Sequence, residues 1–540
     1  MARLGKDQQF KASSSCYTLQ NHIHIISWND FPARIHGEPL RNFRFLSTLG
    51  FTCTLMATWE SILLTSTLGL SNGGLAGSVY IYIGSFIGFF TSVASMAEMA
   101  SISPTSGGQY HWASEFGGRS YQKFLSYATG WLSVLGWQAA FASVCFLCGT
   151  LMQSLIQLNQ PGYAAERWHG TLFTAAIALA TTFINTHMAS HLPSLEGLIL
   201  ILHVFGFFAT MIPLWVMAER TPTKDVFTQF TNTAGWPTLG LACLVGQISP
   251  IFSFLAEEIK DASKVVPWCM ISTALINGSL GFIMLITYLF TMGDLHEVIK
   301  AESGFSFITA FLNATGSKAA TTSLGSLLVV MEACAAISVL ATVSRQTFAF
   351  ARDNALPFSQ FFARVHPKSK VPVNSILAST VITILLSLIN IGSTEAFNAI
   401  ASLTIASLFM SYLVCIGCFI YRRLQWKEIP PARFSLGACG LPVNIISFLY
   451  LSFAIVFTFF PNNNYPTAVS MNWSVLVFGF VVIFAGLQYL IHGRKVYDGP
   501  VALRAQDCTS VAISPISGAI EIYHMRVTID IENETVTAEK

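Results

Sequence analysis

The chain has 540 residues, of which 53% are hydrophobic and only 10% charged, and its mean hydropathy is +0.57. Soluble domains usually contain about 25% charged residues, so this composition excludes a soluble globular protein. The net charge of +2 gives no reason to expect a nucleic-acid partner.

The apolar residues are gathered into twelve runs, each long enough to cross a hydrocarbon core of about 30 Å as a helix. Short alternating segments would indicate a membrane barrel, and the runs here are continuous, so helices are favoured. The runs cover residues 45–70, 75–100, 124–157, 168–187, 193–218, 238–256, 267–292, 319–349, 374–391, 396–420, 441–460 and 470–492. We therefore predict an all-α polytopic membrane protein, with a transmembrane domain over 45–492 and tails over 1–44 and 493–540.

The distribution of Lys and Arg predicts the orientation of these helices. With the N-terminus inside, the inner loops contain 13 of the 29 basic residues, the outer loops five, and the two tails the rest. The positive-inside rule then places both termini in the cytoplasm.

Glu60 lies inside the first run, and no basic residue of that run is available to pair with it. A carboxylate in the bilayer costs about 3 kcal/mol by insertion scales, so an intramembrane acid indicates a functional site. The alternative is a carboxyl that stays protonated or is hydrogen-bonded to a neighbouring helix. Glu332, in the eighth run, is a second such acid, and we interpret it as a candidate for proton relay.

Small polar residues interrupt the first and the sixth runs. Thr58 and Ser61 flank Glu60, and Ser249 and Ser253 lie in the sixth run. Any one of them is explained by helix packing. Interruptions at corresponding positions of two halves, however, indicate the binding site of a secondary transporter.

Neither cofactor nor metal is expected. The eleven cysteines lie mostly inside apolar runs, and no His or carboxylate set accompanies them at metal-ligand spacing. The loop between the seventh and eighth runs would be external, and it contains a glycosylation sequon at Asn313. In the C-terminal tail, residues 520–531 have the composition of a strand.

Four segments carry a resemblance to a known family. They are residues 97–112 (AEMASISPTSGGQYHW), 257–263 (EEIKDAS), 345–358 (RQTFAFARDNALPF) and 388–393 (LINIGS). In this order they closely resemble the fungal amino-acid, GABA and choline permeases of the amino acid–polyamine–organocation superfamily. The resemblance implies twelve helices, with a leucine-transporter-type core of two inverted five-helix repeats plus two further helices.

The resemblance also implies roles for individual residues. The break in the first helix would fall at residues 57–61, where Glu60 would be the counter-charge of a substrate amine and Trp59 would offer its ring face to the cation. Interhelix or lipid packing is the alternative for Trp59. Gln138 of the third run is a weaker candidate for substrate binding. Glu257, Glu258, Lys260 and Arg345 are candidates for gating or coupling, and the alternative for each is a solvated helix end.

Two segments depart from the family pattern. The sixth run reaches Glu257 about two helical turns early, and residues 10–39 read as an insertion or a gene-model artefact.

We therefore predict a permease, not an enzyme, that moves an amino acid or an amine such as GABA or choline by proton-coupled alternating access. The binding site is expected where the first, third, sixth and eighth helices meet. Its partners would be the substrate, a coupling proton and the lipid bilayer, in the plasma membrane or alternatively the vacuolar membrane. The competing interpretations are a transporter-like nutrient sensor and a transport-impaired copy.

Overall fold

The computed structural model describes most of the chain between residues 53 and 500. The residues without a description inside that range are 54, 104, 106, 255–264, 301–303, 368, 370, 394, 426–428, 431 and 498. Beyond it, residues 527–529 and 536–538 are described.

Helices account for nearly all of the regular structure between residues 53 and 500. The first half of the chain contains α1 (Thr58–Ser71), α2 (Gly74–Ile102), α3 (Gln109–Phe116), α4 (Gln122–Asn159), α5 (Arg167–His187), α6 (Leu192–Met217), α7 (Thr223–Thr228), α8 (Leu239–Gly246) and α9 (Ile248–Ser253). The second half contains α10 (Val265–Thr291), α11 (Leu295–Ile299), α12 (Ser306–Thr315), α13 (Lys318–Arg352), α14 (Ser359–Phe362), α15 (Val373–Ser387), α16 (Ile389–Gly392), α17 (Ala396–Leu424), α18 (Gly440–Thr458), α19 (Ser474–Gln488) and α20 (Arg494–Val496).

In the described part of the chain, nine helices are long and apolar enough to cross a membrane. They correspond to the second, third, fifth and seventh to twelfth apolar runs. The first, fourth and sixth runs contain α1, α5 and the pair α8–α9, which are shorter or less apolar. The expected all-α polytopic membrane fold is thereby confirmed, whereas the count of twelve spans and the inverted repeat remain predictions.

The C-terminal residues belong to a second compact unit, separate from residues 35–500. There, β1 (Val527–Ile529) and β2 (Val536–Ala538) form an antiparallel pair in which Thr528 faces Thr537. The first of these strands lies inside the segment for which a strand is predicted.

The helix in the first apolar run is interrupted. Ala57 has φ 42° and ψ 45°, the left-handed conformation, and α1 begins immediately after it. This conformation costs an L-residue about 1–2 kcal/mol, so the surrounding structure must impose the break. At Gln247, between α8 and α9, the backbone keeps right-handed helical angles (φ −63°, ψ −14°), so α9 continues the direction of α8.

The helical pair α8–α9 is short for a membrane span. It begins at Leu239 and ends at Ser253, which corresponds to a length of about 22 Å for the pair. The hydrocarbon core is about 30 Å thick, so the described helix does not cross it alone. Residues 255–264, which contain the predicted gating residues Glu257, Glu258 and Lys260, lie outside the described residues.

The long central helix α4 packs against α13 and α17 through its glycines. A Cβ atom at Gly130 would lie 2.1 Å from Phe350, and one at Gly136 would lie 2.6 Å from Leu408. Because no side chain fits at these positions, the helices approach closely and bury polar groups between them.

At the predicted cytoplasmic face, Glu98 at the end of α2 binds residues between 423 and 436, which are distant from it in the chain. Its carboxylate accepts hydrogen bonds from Arg423 of α17, and from the Ser435 hydroxyl and the Leu436 amide at 3.1 Å each. Glu98 is part of the segment 97–112 that carries the family resemblance. The contacts join that segment to the end of α17.

The twelfth helical run extends further than expected. A single π-helical turn (Tyr489–Gly493) leads into α20, so the predicted domain limit at residue 492 falls inside a helix. Tyr497, immediately after it, is fully buried. Its hydroxyl lies 2.6 Å from Ser126 Oγ, and its ring packs on Tyr127 and Phe350 at centroid distances of 5.4 and 6.2 Å.

Candidate functional site

Helices α1 and α9 lie side by side, so that the break at Ala57 lies near the end of α9, whereas the junction between α8 and α9 lies near Asn72 at the other end of α1. Thr58 Oγ1, at the start of α1, donates to the Ser253 carbonyl at 2.9 Å. One to two turns further along α1, Thr65 Oγ1 lies 2.9 Å from Ser249 Oγ. Three of the residues predicted for substrate binding, Thr58, Ser249 and Ser253, are thus brought together.

Ser61 is buried in the first turn of α1, and its carbonyl accepts a hydrogen bond from Thr65 at 2.7 Å. The backbone N–H groups of a first helical turn have no partner within their own helix. They carry the positive end of the helix dipole, which favours an anion such as a substrate carboxylate.

Glu60 has a partner on another helix. Its Oε1 lies at hydrogen-bond distance, 2.7 Å, from Nδ1 of His203 on α6, and the two side chains are 0% and 1% exposed. The contact joins residues 143 positions apart in the chain. The other carboxylate oxygen, Glu60 Oε2, has no hydrogen-bond partner among the described residues.

Trp59 lies beside this pair and is fully buried. Its ring centroid is 6.0 Å from that of His203, with the planes tilted by 47°, and 6.0 Å from that of Phe207, edge to face. Its indole Nε1 has no hydrogen-bond partner among the described residues. The Trp59 ring therefore packs directly beside the Glu60–His203 pair.

Two further polar side chains extend the cluster. Asn277 of α10 is fully buried, and its Nδ2 donates to the Cys53 carbonyl at 3.2 Å. Glu332 of α13 is 1% exposed and close enough to Glu60 for an electrostatic interaction. Its Oε1 lacks a hydrogen-bond partner in the described part of the chain.

The remaining predicted residues lie elsewhere. Gln138 of α4 donates to Thr347 Oγ1 at 3.1 Å and to Ser379 Oγ at 3.0 Å, which joins three helices. Arg345 is half-buried on α13, more than three turns beyond Glu332. Asn313 is exposed on α12, and its Nδ2 donates to Glu297 at 3.2 Å.

A cleft runs from this region along the second half of α1. It lies between α1, α2, α8–α9 and α10. The hydroxyl and amide side chains of its lining are Ser66, Asn72, Ser78, Tyr82, Ser249 and Tyr288. Among the described residues, no group of three His, Cys, Asp or Glu side chains is arranged to hold a metal ion.

An interrupted helix beside buried charges in a polytopic fold is typical of secondary transporters. The family model for amino acid permeases matches residues 43–483. The chain belongs to the amino acid permease family. It is a multi-pass membrane transporter, and the expectation of a protein without enzymatic function is confirmed by its family.

Curated relatives of this permease are fungal. It is 30% identical over 444 residues to a candidate amino acid/polyamine transporter of Macrophomina phaseolina, covering 79% of the permease and 98% of that protein. It is 27% identical to the choline transporter of Saccharomyces cerevisiae, covering 85% and 82% of the two chains. It is 26% identical to amino-acid permease 2 of Neurospora crassa, covering 85% and 86%.

His203 is the residue of the permease site that sequence reasoning missed. It is the one titratable residue in the central part of the fifth apolar run, between Leu202 and Val204. An intramembrane histidine indicates function in the same way as an intramembrane acid. Reading the acids and histidines of all runs together would have suggested His203 as a partner for Glu60.

Proposed function

We propose that this permease imports a small amine or amino acid, such as choline or GABA, by alternating access coupled to proton entry. The observation that carries the proposal is the buried Glu60–His203 contact beside the break of the first helix. Histidine is the side chain whose ordinary pKa lies closest to physiological pH, so an imidazole beside a buried carboxyl offers a place for a transported proton.

The charge balance of the cluster supports a cationic species as the transported or coupled ion. Two carboxyl groups, Glu60 and Glu332, share a dry region with one imidazole, His203. If both acids are ionised and the imidazole is protonated, one negative charge is left over. An uncompensated buried charge costs several kcal/mol, so the site favours a further cation or proton.

The surroundings of Glu60 supply contacts for an amine. Glu60 Oε2 has no hydrogen-bond partner among the described residues and can accept from an ammonium group. The Trp59 face would bind a quaternary ammonium by cation–π attraction. A substrate carboxylate, as in GABA, would bind the N–H groups at the start of α1.

Uptake into transporter-deficient yeast cells tests this proposal. Labelled choline, GABA and neutral amino acids are offered at several external pH values, with and without a protonophore. We expect uptake of at least one of them that increases toward acidic pH and is abolished by the protonophore. No uptake of any substrate at normal surface expression would contradict the transport proposal for this chain.

Glu60→Gln in the same cells tests the role of Glu60. Loss of the carboxylate should lower uptake of cationic substrates about tenfold or more, because one ion contact in a low-dielectric site is worth at least ~1.4 kcal/mol. Glu219→Gln, at an exposed acid outside the site, is the matched control and should leave uptake unchanged. Equal kinetics of Glu60→Gln and the unaltered permease would limit Glu60 to a structural role.

The short helical pair α8–α9 favours a second candidate function. A permease whose sixth span is incomplete could retain binding and lose flux, acting as a nutrient sensor or as an impaired transporter. Substrate-dependent thermal stabilisation without uptake would support this candidate over the first.

We also propose an orientation in the membrane, a location in the cell and an inner gate for this permease. Both termini would be cytoplasmic, the protein would reside in the plasma membrane or the vacuolar membrane, and Arg345 together with residues 257–260 would contribute to the inner gate. The α12 sequon at Asn313 would then face outward and carry a glycan. Enzymatic removal of N-linked glycans should increase electrophoretic mobility of the permease but not of an Asn313→Gln variant, and an unchanged mobility would argue against glycosylation there.

A further inference from the structure

Ser435 is an exposed residue of the loop between α17 and α18, and its hydroxyl is bonded to a buried carboxylate. Its Oγ donates to Glu98 Oε1 at 3.1 Å, and Glu98 is 2% exposed. The Leu436 amide donates to the same oxygen at 3.1 Å, and the Phe434 amide donates to Ser101 Oγ at 2.9 Å. Three consecutive residues of the loop are thus attached to the end of α2.

The carboxylate that holds the loop also holds a cation. Arg423 of α17 donates to Glu98 Oε2, the oxygen that the loop does not use, and its side chain is 12% exposed. The Arg423 guanidinium also lies over the Phe419 ring, 4.6 Å from its centroid. Because Arg423 and Ser435 bind the two oxygens of one carboxylate, a new negative charge on Ser435 would lie beside this ion pair.

The loop around Ser435 has the features of a protein-kinase substrate. Residues 432–436 contain neither helix nor strand, so a kinase can bind their backbone in an extended conformation. Arg433 is exposed two positions before Ser435, and basophilic kinases select serines that follow an arginine at such a distance. Ser435 is exposed, whereas its neighbours on α2, Glu98 and Ser101, are buried. The loop therefore presents the acceptor residue on the surface.

We propose that Ser435 is a phosphorylation site for a basophilic protein kinase, and that phosphorylation detaches this loop from α2. In the reaction, Ser435 Oγ forms a bond to the γ-phosphorus of ATP while the bond from that phosphorus to the β–γ bridging oxygen breaks. ADP leaves, and the hydroxyl proton passes to the catalytic base of the kinase. In a cell the inference rests on the proposed cytoplasmic location of the loop.

The detachment follows from the change in charge and in hydrogen bonding. A phosphoserine carries a charge of about −1.5 to −2 at pH 7 and has lost the hydroxyl donor, so its bond to Glu98 is replaced by repulsion. The guanidinium of Arg423 matches the geometry of a phosphate group, which then competes with Glu98 for it. A buried carboxylate without its cation is strongly unfavourable, so Glu98 and the loop separate.

A kinase reaction on the purified permease tests the site. The full-length protein in detergent is incubated with the catalytic subunit of cyclic-AMP-dependent protein kinase and Mg-ATP, and mass spectrometry locates the phosphate. We expect phosphate on Ser435. Arg433→Gln should slow its incorporation at Ser435 several-fold and leave the melting midpoint in detergent unchanged, because Arg433 is exposed.

Two substitutions at Ser435 separate the effect of charge from the loss of the hydroxyl. Ser435→Asp places a negative charge beside Glu98 and should lower the melting midpoint by about 2 °C or more, because like charges repel. Ser435→Asn, of the same size without the charge, is the matched control and should lower it less. In a Glu98→Gln background the two Ser435 variants should have equal midpoints, since the opposing charge is absent.

The two parts of the inference fail separately. Lack of phosphate on Ser435, both after the kinase reaction and in permease purified from yeast with phosphatase inhibitors, would overturn the site. Equal midpoints of Ser435→Asp and Ser435→Asn in the otherwise unaltered permease would overturn the detachment. The kinase reaction needs no Glu98 variant, so it tests the site even where Glu98→Gln is poorly expressed.

Neither measurement involves a substrate, so both remain valid if the permease transports nothing. The location of the loop is tested by itself at Cys439, an exposed cysteine of the same loop. A membrane-impermeant maleimide should modify the Cys439 peptide only after the cells are permeabilised. Modification in intact cells would place the loop outside and overturn phosphorylation of Ser435 by a cytoplasmic kinase.

Discussion

Single buried residues decide what this permease site can do, and Glu60 is the clearest case. In sequence it is an isolated acid in an apolar run. In the structure its Oε1 lies 2.7 Å from Nδ1 of His203 on another helix. The other oxygen, Oε2, has no hydrogen-bond partner in the described part of the chain. A carboxylate with one oxygen bonded and one available combines a fixed orientation with the capacity to bind a cation.

The left-handed conformation of Ala57 allows a prediction about the stability of the permease. Glycine adopts positive φ without the Cβ penalty, so Ala57→Gly should raise the stability of the permease by about 1 kcal/mol. The measurement is the midpoint of heat-induced loss of the monodisperse peak in detergent. Ala335→Gly, at a buried position inside the regular helix α13, is the control and should lower that midpoint. Equal decreases in both variants would show that the break at Ala57 carries no strain.

The interrupted helix α1 is one of the elements that form the site, and a glycine of α10 determines how closely α10 approaches it. A Cβ atom at Gly281 of α10 would lie 2.5 Å from Tyr82 Oη and 2.7 Å from Thr58 Cγ2. Gly281 therefore lets α10 approach the start of α1, where Thr58 is bonded to Ser253. The position of the first break depends on this close contact.

Gly281→Ala should push Thr58 away from Ser253 and lower the maximal uptake rate. Overpacking of this kind costs about 1–3 kcal/mol, so folding and surface expression should survive while the site is distorted. Gly84→Ala is the control, because no atom lies within 4 Å of a Cβ placed there. Equal uptake by the two variants would mean that the Thr58–Ser253 bond is not needed for transport.

The sequence predicts the features of the site that depend on a single residue or a short segment. It does not predict contacts between helices that are distant in the chain. The acids Glu60 and Glu332, and the Ser249 and Ser253 pair, are visible because polar atoms in an apolar run are anomalous wherever they fold. The Glu60–His203 contact is set by the packing of α6 against α1, over 143 residues, and no local pattern encodes it. Gln138 is a weaker candidate for the site, and its amide Nε2 donates to Thr347 and Ser379, two contacts between helices that the sequence does not reveal.

At the scale of the whole molecule, hydropathy alone predicts the fold class. Apolar runs report length and burial, and the helices of the structure follow them closely. The ends are less predictable, because Arg494 and Lys495 interrupt the apolar run and the residues that follow gain their structure from tertiary contacts. Tyr497 is buried only because Tyr127, Phe350 and Ser126 form a pocket for it.

Tyr497 therefore supplies a prediction for the stability of the whole domain. Tyr497→Ala removes a buried aromatic ring and should destabilise the permease by about 3 kcal/mol, whereas Tyr497→Phe should lose only the hydrogen bond, about 1 kcal/mol. The detergent melting midpoint measures both. Tyr465→Ala, at an 83% exposed tyrosine, is the control. A midpoint of Tyr497→Ala equal to that of the control would show that residue 497 does not contribute to folding.

The hydrogen bond between Ser126 and Tyr497 also sets an order of events during synthesis. The two residues are 371 positions apart, and a ribosome needs roughly 20 to 75 seconds to add that many. Until then, the aromatic pocket of Tyr110, Tyr127 and Phe350 has no occupant from the C-terminal segment. A chain that stops before residue 497 leaves these rings uncovered, which would mark it as unfinished for the chaperones and proteases that inspect new membrane proteins.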